Sequence, residues 1–301
     1  MGWTERHRGF TLVELLTTIS VLVLLIGIML PAMGAVRRYG RRVVGIHNQR
    51  EIVFAVTLYA CENDDDFPSS VALCAGADAQ SYRWQDPRKV KTTRPLPRMT
   101  HNSVAGYLGE YARCGEVFYC PSSPGPHTYW REAWAQGDRW GHPDSDDADG
   151  ADPLFGSYCF FWNYTAYLEG PWGPFVGPRS QLPRAEESDV LVCDYFGYDD
   201  WRNRGYFGSC ELLKHDEIVA ECDWHSSYWS YRNHGVGDDP RTLTTKLNAG
   251  YLDGHVSGYT PGEATAIRVS ETPHGQEPYE SSDPRNPGCF FVPTRTIRAP
   301  R

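Results

Sequence analysis

An uncharged run of 19 residues, Leu15–Met33, lies near the N-terminus of this chain. As an α-helix it is about 28 Å long, close to the hydrocarbon thickness of a bilayer. A buried core helix is the alternative, but the terminal position and the arginines on both sides argue against it. The run therefore predicts a single membrane-spanning helix.

Two membrane interpretations remain. A secretory signal peptide has a basic start, an apolar segment and a small-residue cleavage site, and the segments 6–8 and 32–35 offer the first and last of these. That interpretation leaves Glu14 unexplained, because a carboxylate in an apolar segment is costly and is usually functional.

The residues from Arg6 to Glu14, RHRGFTLVE, resemble the type III signal of type IV pilins and type II secretion pseudopilins. The resemblance implies that a prepilin peptidase cuts after Gly9 and that the new N-terminal residue, Phe10, is N-methylated. It also implies that Glu14 neutralises the N-terminal amine of a neighbouring pilin-like subunit. An exposed glutamate whose side chain reaches the membrane interface is the simpler alternative for Glu14.

Beyond the span the helix is predicted to continue, because Ile52, Val56 and Tyr59 form one apolar stripe opposite the polar segment 49–51. The segment Asp64–Asp66, followed by a proline, is expected to end it. The fold class is therefore predicted to be α+β, with a long N-terminal pilin-type helix packed on a mainly antiparallel β head. The predicted parts are a leader at 1–9, a transmembrane helix at 10–33, its continuation at 34–66, the head at 67–271 and a tail at 272–301.

After Pro68, short apolar runs alternate with turn residues, which is typical of a β-rich head. The predicted strands are Val117–Cys120, Ser157–Tyr164, Val190–Asp194, Ala249–Leu252 and Cys289–Val292. The predicted helical segments are Ser103–Tyr111 and Trp130–Gln136.

The remaining composition limits the partners of the head. Of 29 Lys and Arg, six precede residue 43, whereas only two of the 38 Asp and Glu do, so the rest of the chain carries 23 basic and 36 acidic residues, a formal charge of −13. This acidity argues against nucleic-acid binding. Nine cysteines allow up to four disulfides outside the cytoplasm, and Cys114 and Cys120 are near enough in sequence to close a small loop.

The head also resembles a subgroup of prepilin-like proteins, abundant in planctomycete-type bacteria, whose heads end in an H-x-DG pattern. The matching positions near the C-terminus are His234 and the run Leu252–Val256, which contains Asp253 and Gly254. In that subgroup nine residues separate the histidine from Asp-Gly, whereas 18 do so here. The resemblance implies no established enzymatic activity.

Two groups of residues are candidate metal ligands. His234, Asp253 and His255 have the imidazole and carboxylate groups that suit a divalent ion, although Asp253-Gly254 is better explained as a tight hairpin turn. The acidic run 144–150 contains Asp146, Asp147 and Asp149 and has the oxygen density of a calcium loop, but it does not fit the EF-hand spacing, and a solvated acidic loop is the simpler interpretation. The segment 64–66 is a second calcium candidate.

No catalytic motif accompanies these groups, so no enzyme activity and no obligatory cofactor is predicted. The leading hypothesis is a pilin-like structural subunit, anchored in the cytoplasmic membrane with its head outside the cytoplasm. The alternative is a membrane-tethered binding protein for a glycan or a protein, for which Trp130 and Trp134 would share one helical face. A tethered metal-dependent enzyme is the third class.

Overall fold

The structure is a computed structural model of the whole chain. It describes residues 10–73, 86–92, 98–123, 128–141, 143, 153–168, 174–199, 205–208, 218–223, 226–231, 243, 245–268 and 290–297. The chain divides into two compact units, Met1–Val43 and Val44–Arg301.

The fold is α+β, as the sequence predicts: a long N-terminal helix packs on antiparallel sheets. The helices are α1 (Leu12–Glu62), α2 (Val104–Leu108) and α3 (Trp130–Gln136). The strands are β1 (Lys89–Lys91), β2 (Leu154–Phe155), β3 (Tyr158–Phe160), β4 (Thr165–Leu168), β5 (Pro174–Val176), β6 (Val190–Asp194), β7 (Phe196–Asp199), β8 (Gly205–Gly208), β9 (Ile218–Asp223), β10 (Ser226–Tyr231), β11 (Leu247–Tyr251), β12 (Val256–Tyr259), β13 (Ala264–Arg268) and β14 (Phe290–Pro293).

Within the described residues the strands form three antiparallel sheets. The four-stranded sheet has the order β12-β11-β6-β3, and the eight-stranded sheet has the order β5-β4-β13-β14-β7-β8-β10-β9. Strands β1 and β2 form a separate pair. The thiol of Cys193 in β6 lies 3.9 Å from the carbonyl oxygen of Phe291 in β14, and the buried apolar residues of the two larger sheets belong to one cluster. The second unit therefore has a core between its two larger sheets.

The last five turns of α1 pack on the four-stranded sheet. Ile52, Val53 and Val56 are at most 1% exposed. Gly250 of β11 lies so close to α1 that a Cβ on it would stand 3.0 Å from a methyl group of Val53. The predicted stripe is therefore confirmed at Ile52 and Val56, while the third member, Tyr59, is half-buried against the rings of two tyrosines of the head.

The prediction that Gln49 lies on the polar face of α1 is wrong, because its side chain is fully buried. Its Nε2 donates to Asp194 Oδ1 at 2.9 Å and to the Asn248 carbonyl oxygen at 3.3 Å. Asp194 Oδ2 accepts from the backbone N–H and the side-chain amide of Asn248 at 2.7 and 2.9 Å. A buried carboxylate is tolerated when such donors surround it, so this polar cluster fixes the register of helix on sheet.

The helix ends at Glu62, close to the predicted stop. Asp64 and Asp65 take positive φ values of 54° and 64°, a left-handed conformation that Asp adopts more readily than most residues. The Asp65 N–H returns to the Ala60 carbonyl oxygen at 3.0 Å, which satisfies one of the open carbonyls of the last turn.

Two predictions of local structure differ from the observed fold. The segment predicted as the strand Val117–Cys120 begins instead in a 3₁₀ turn, Gly115–Phe118, because the N–H groups of this segment bond locally, as from Tyr119 to the Glu116 carbonyl oxygen. Cys114 and Cys120 are free thiols, so the structure does not support a disulfide between them. Cys61, Cys159 and Cys193 are also free thiols.

Candidate processing and assembly segment

Phe10 is the first residue that the structure describes, and its side chain is 72% exposed. Gly9, the predicted cleavage position, lies outside the described residues, so its role stays a prediction. Phe10 directly precedes the first turn of α1. A bond cut before Phe10 would therefore leave a short N-terminus at the start of a regular helix.

Thr11 and Glu14 form a capping box at the start of α1. The Glu14 N–H donates to Thr11 Oγ1 at 3.2 Å, and Glu14 Oε2 accepts from the Thr11 N–H and hydroxyl at 2.9 and 2.8 Å. These reciprocal bonds satisfy N–H groups that have no partner within a helix. The spacing T-x-x-E before an apolar run is the sequence signature of this cap, so the cap was predictable from the residues alone.

The capping box occupies only one of the two carboxylate oxygens of Glu14. No described residue donates a hydrogen bond to Oε1, so that oxygen is available to a donor from another molecule. The carboxylate also stands at the positive end of the helix dipole, which favours its charged form. Glu14 therefore has a structural role within its own chain and a second carboxylate oxygen without a hydrogen bond from any described residue.

The apolar side chains that follow are exposed on every side of the helix. Among the helices that the structure describes, α1 alone is long and apolar enough to cross a membrane, and none of its most apolar 18-residue window is buried. That lack of burial distinguishes it from the core helix of a soluble protein. Three hydroxyl groups of this part donate to carbonyl oxygens one turn back at 2.8 to 3.0 Å, and they belong to Thr17, Thr18 and Ser20. Their hydrogen-bond donors are therefore satisfied within the helix, as an apolar solvent requires.

Further along α1, within the second unit, part of the helix surface is also apolar and uncovered. Phe54 is 58% and Leu58 51% exposed, and their spacing of four residues places them on one side of the helix. They lie away from the side that carries Val53 and Val56. The helix α1 thus packs on the sheet with one face and exposes a second apolar strip, formed by Phe54 and Leu58, on another.

The Asp253-Gly254 segment forms the tight hairpin turn between β11 and β12. Gly254 has a φ of 86°, and its N–H donates to the Tyr251 carbonyl oxygen at 2.9 Å. The His255 N–H donates to Asp253 Oδ1 at 3.1 Å, and this bond, more than the contact with the His255 ring, lowers the pKa of Asp253. The turn interpretation is confirmed, while His234 lies outside the described residues.

The two calcium candidates differ in what the structure describes of them. Asp146, Asp147 and Asp149 lie outside the described residues, so calcium there stays a prediction. In the part of the chain that the structure describes, no three His, Cys, Asp or Glu side chains gather into a group able to hold a metal ion. Asp64 and Asp65 serve there to end α1.

A cluster of titratable groups that no sequence motif predicts lies around Asp138. His101 Nδ1 and Ser103 Oγ contact its two carboxylate oxygens at 2.5 and 2.6 Å. Burial raises the pKa of Asp138, but the hydrogen bonds from Ser103 and His101 outweigh it and lower that pKa. Burial also lowers the pKa of Lys91, which donates to the Asp138 carbonyl oxygen, to about 8.

This cluster is structural in its geometry. Ser103 accepts from the Gly106 N–H at 2.9 Å and thereby caps α2, while its own proton goes to Asp138. The hydroxyl is therefore not directed at the imidazole of His101, as a serine nucleophile would be. The bonds instead join β1, α2 and the turn after α3.

The two tryptophans of the glycan hypothesis do not form an exposed platform. Trp130 is 3% exposed, and its indole N–H donates to the Gly115 carbonyl oxygen at 3.1 Å. Trp134 is half-buried against the ring of Phe118, with centroids 4.8 Å apart. Aromatic burial accounts for both positions.

The family described as the prokaryotic N-terminal methylation motif matches residues 5–30. No curated protein and no solved structure matches the chain. The matched stretch contains Gly9, Phe10 and Glu14 and most of the exposed apolar run. The match and the exposed apolar helix together support a prepilin-like family and membrane anchoring by the N-terminal segment.

Proposed function

We propose that this protein is a type IV pilin-like or pseudopilin structural subunit, cut after Gly9 and N-methylated at Phe10. The observation that carries the proposal is the match of residues 5–30 to the methylation motif. Prepilin peptidase is then the first partner of the chain, and other pilin-like subunits are the later ones. The subunit performs no catalysis in this proposal.

Glu14 supplies the assembly chemistry. A free α-amino group and a carboxylate each cost several kcal/mol in an apolar environment when alone, and a close pair offsets much of that cost. Glu14 Oε1 is free among the described residues, while Oε2 holds the capping box. The glutamate thus accepts the amine of a neighbouring subunit without giving up the cap of its own helix.

The proposed location is the cytoplasmic membrane, with the head outside the cytoplasm and the chain able to enter a pilus or a type II secretion pseudopilus. The uncovered strip at Phe54 and Leu58 supports lateral packing between subunits, because burial of such side chains contributes about 1.5–3 kcal/mol each. Membership of the H-x-DG subgroup is part of this proposal, with Asp253 and Gly254 as its described members.

The alternative is a membrane-tethered binding protein that uses the prepilin route only as an anchor. Both functions need the same cleavage, and they differ in whether Glu14 acts on a neighbouring subunit. Loss of assembly on replacement of Glu14, with anchoring retained, separates the two.

The mature N-terminus tests the processing step directly. We expect mass spectrometry of the protein purified from membranes to find N-methylated phenylalanine, from Phe10, as the first residue. In the Gly9→Val variant the peptidase cleft meets a side chain it does not accommodate, so the precursor stays at full length. A mature chain that starts near Val36 would instead establish an ordinary signal peptide and overturn the proposal.

A further inference from the structure

A polar cavity of about 460 Å³ lies in the head beside the segment that follows α1. Its volume is within the range of small-molecule sites. We call it the arginine cavity, since three of its lining residues are Arg98, Arg179 and Arg184. Hydroxyl and amide side chains make up much of the remaining wall, and they are Ser69, Ser70, Asn163, Thr165 and Ser180.

Hydrogen bonds hold the walls of the arginine cavity together. The Phe67 N–H donates to the Arg179 carbonyl oxygen at 2.9 Å. The side-chain amide of Asn163 donates to the carbonyl oxygens of Phe67 and Pro68 at 2.8 and 2.9 Å. Three separate chain segments are thereby joined, so the cavity exists before any ligand arrives.

Glu187 fixes the loop that presents two of the arginines. Its carboxylate is 1% exposed and accepts the backbone N–H groups of Arg179 and Arg184 at 3.4 and 3.2 Å. The second oxygen lies 3.8 Å from Arg179 Nε. The negative charge of Glu187 is therefore committed within the protein and is not available to a bound cation.

The other two guanidinium groups have no such partner. Among the described residues, none hydrogen-bonds or forms an ion pair with the side chains of Arg98 or Arg184. Asp66 is the remaining carboxylate of the lining, so the three arginines exceed the two acidic groups by one charge. A local positive excess is unusual in a head whose formal charge is strongly negative, and it attracts anions from solution.

We propose that the arginine cavity binds a small ligand that carries a carboxylate or phosphate group. Guanidinium groups bind these oxyanions through two parallel N–H···O bonds, and the neighbouring hydroxyls supply further donors. Leu73 and Met99 are half-buried in the same lining and contact a short apolar part of the ligand. This site is independent of processing and assembly, since all its residues belong to the second unit.

Isothermal titration of the full-length chain in detergent, with inorganic phosphate and with succinate as probes at constant ionic strength, tests the proposal. We expect saturable binding of at least one probe. Binding of phosphate alone would identify a phosphate ester as the ligand class, and binding of succinate alone a carboxylate. The Arg98→Gln/Arg184→Gln double variant is expected to lose at least tenfold in affinity for that probe.

Arg139→Gln is the matched control, because Arg139 is an exposed arginine of the same unit that lies outside the cavity. It should keep the affinity of the unmodified protein. Thermal unfolding of all variants should be unchanged, since the replaced side chains are exposed. No saturable binding of either probe, or equal affinity in the double variant and the control, would overturn the proposal.

Discussion

The two parts of α1, residues 12–33 and 44–62, are both rich in apolar residues but have opposite environments. From Leu12 to Met33 the large apolar side chains are between 46% and 81% exposed, whereas Ile52, Val53 and Val56 farther along are at most 1% exposed. The first part has no charged residue after Glu14 until Arg37, and the second part has charged residues on one side. The periodicity of apolar residues thus identifies the packed face of a helix only where the opposite face is in contact with water.

The two parts of α1 require different surroundings. An apolar side chain left in water forgoes about 1.5–3 kcal/mol relative to burial, so the first part is stable only in an apolar surrounding such as lipid or neighbouring helices. The second part obtains that surrounding from its own sheet. A charge added on the buried face of the second part should therefore lower the free energy of unfolding. The same charge on the exposed face should have little effect on it.

The largest effect is expected from Val53→Asp. Val53 is 1% exposed between α1 and β11, and a carboxylate there has no partner, so we expect a loss of more than about 3 kcal/mol in the free energy of unfolding. Urea denaturation of the detergent-solubilised chain, followed by tryptophan fluorescence, measures it.

Phe54→Asp is the control on the adjacent position. Phe54 is 58% exposed, so the same charge should change the free energy of unfolding by less than about 1 kcal/mol. Equal losses in the two variants would show that α1 does not bind the sheet through the face that carries Val53.

An intermediate effect, on assembly and not on stability, is expected from Glu14→Gln. The amide oxygen still accepts from Thr11, so the capping box is kept, but the charge that would pair with a neighbouring amine is lost. After cross-linking in membranes, the processed variant should be found as a monomer, whereas the unmodified protein should be cross-linked to neighbouring subunits.

Thr11→Val is the complementary variant, because it removes the hydroxyl of the cap and keeps the charge of Glu14. It should cost about 1 kcal/mol in helix stability and leave assembly in place. If the glutamine variant assembles like the unmodified protein, Glu14 acts only as a cap.

The sequence predicted those elements whose signal is local and regular. The apolar run, the helix stop near Asp64, the strand Val190–Asp194 and the helix Trp130–Gln136 all follow from periodicity and turn residues, and the structure has them at or near these positions. The hairpin at Gly254 was predictable for the same reason, since glycine directly after aspartate is a strong turn signal in the sequence.

The features that the sequence did not predict depend on long-range pairing. Gln49 is polar, and only its partner Asp194, 145 positions away, makes its burial favourable. The arginine cavity likewise joins residues from separate segments, and no local pattern marks Arg98 and Arg184 as neighbours. The capping box is the exception, because Thr11 and Glu14 are three positions apart and the spacing alone would have sufficed.

The smallest effect is expected from the substitution of a glycine by alanine in each part of α1. This single change should alter the free energy of unfolding in one part and not in the other. Gly45 lies in the packed part, and a Cβ there meets Tyr158 Oη at 3.8 Å and Pro121 Cδ at 3.9 Å, which are ordinary contact distances. Alanine also restricts the unfolded chain and favours the helix, so Gly45→Ala should raise the free energy of unfolding by about 0.5–1 kcal/mol.

Gly27 lies in the exposed part, where a Cβ has no neighbour within 4 Å. Gly27→Ala should therefore leave the urea midpoint of the head unchanged, although it favours the same helix by the same propensity. The urea midpoints of the two variants are therefore compared. Stabilisation by both variants would mean that the head unfolds together with the whole of α1. Destabilisation by Gly45→Ala would mean that the helix lies closer to the sheet than these contact distances allow.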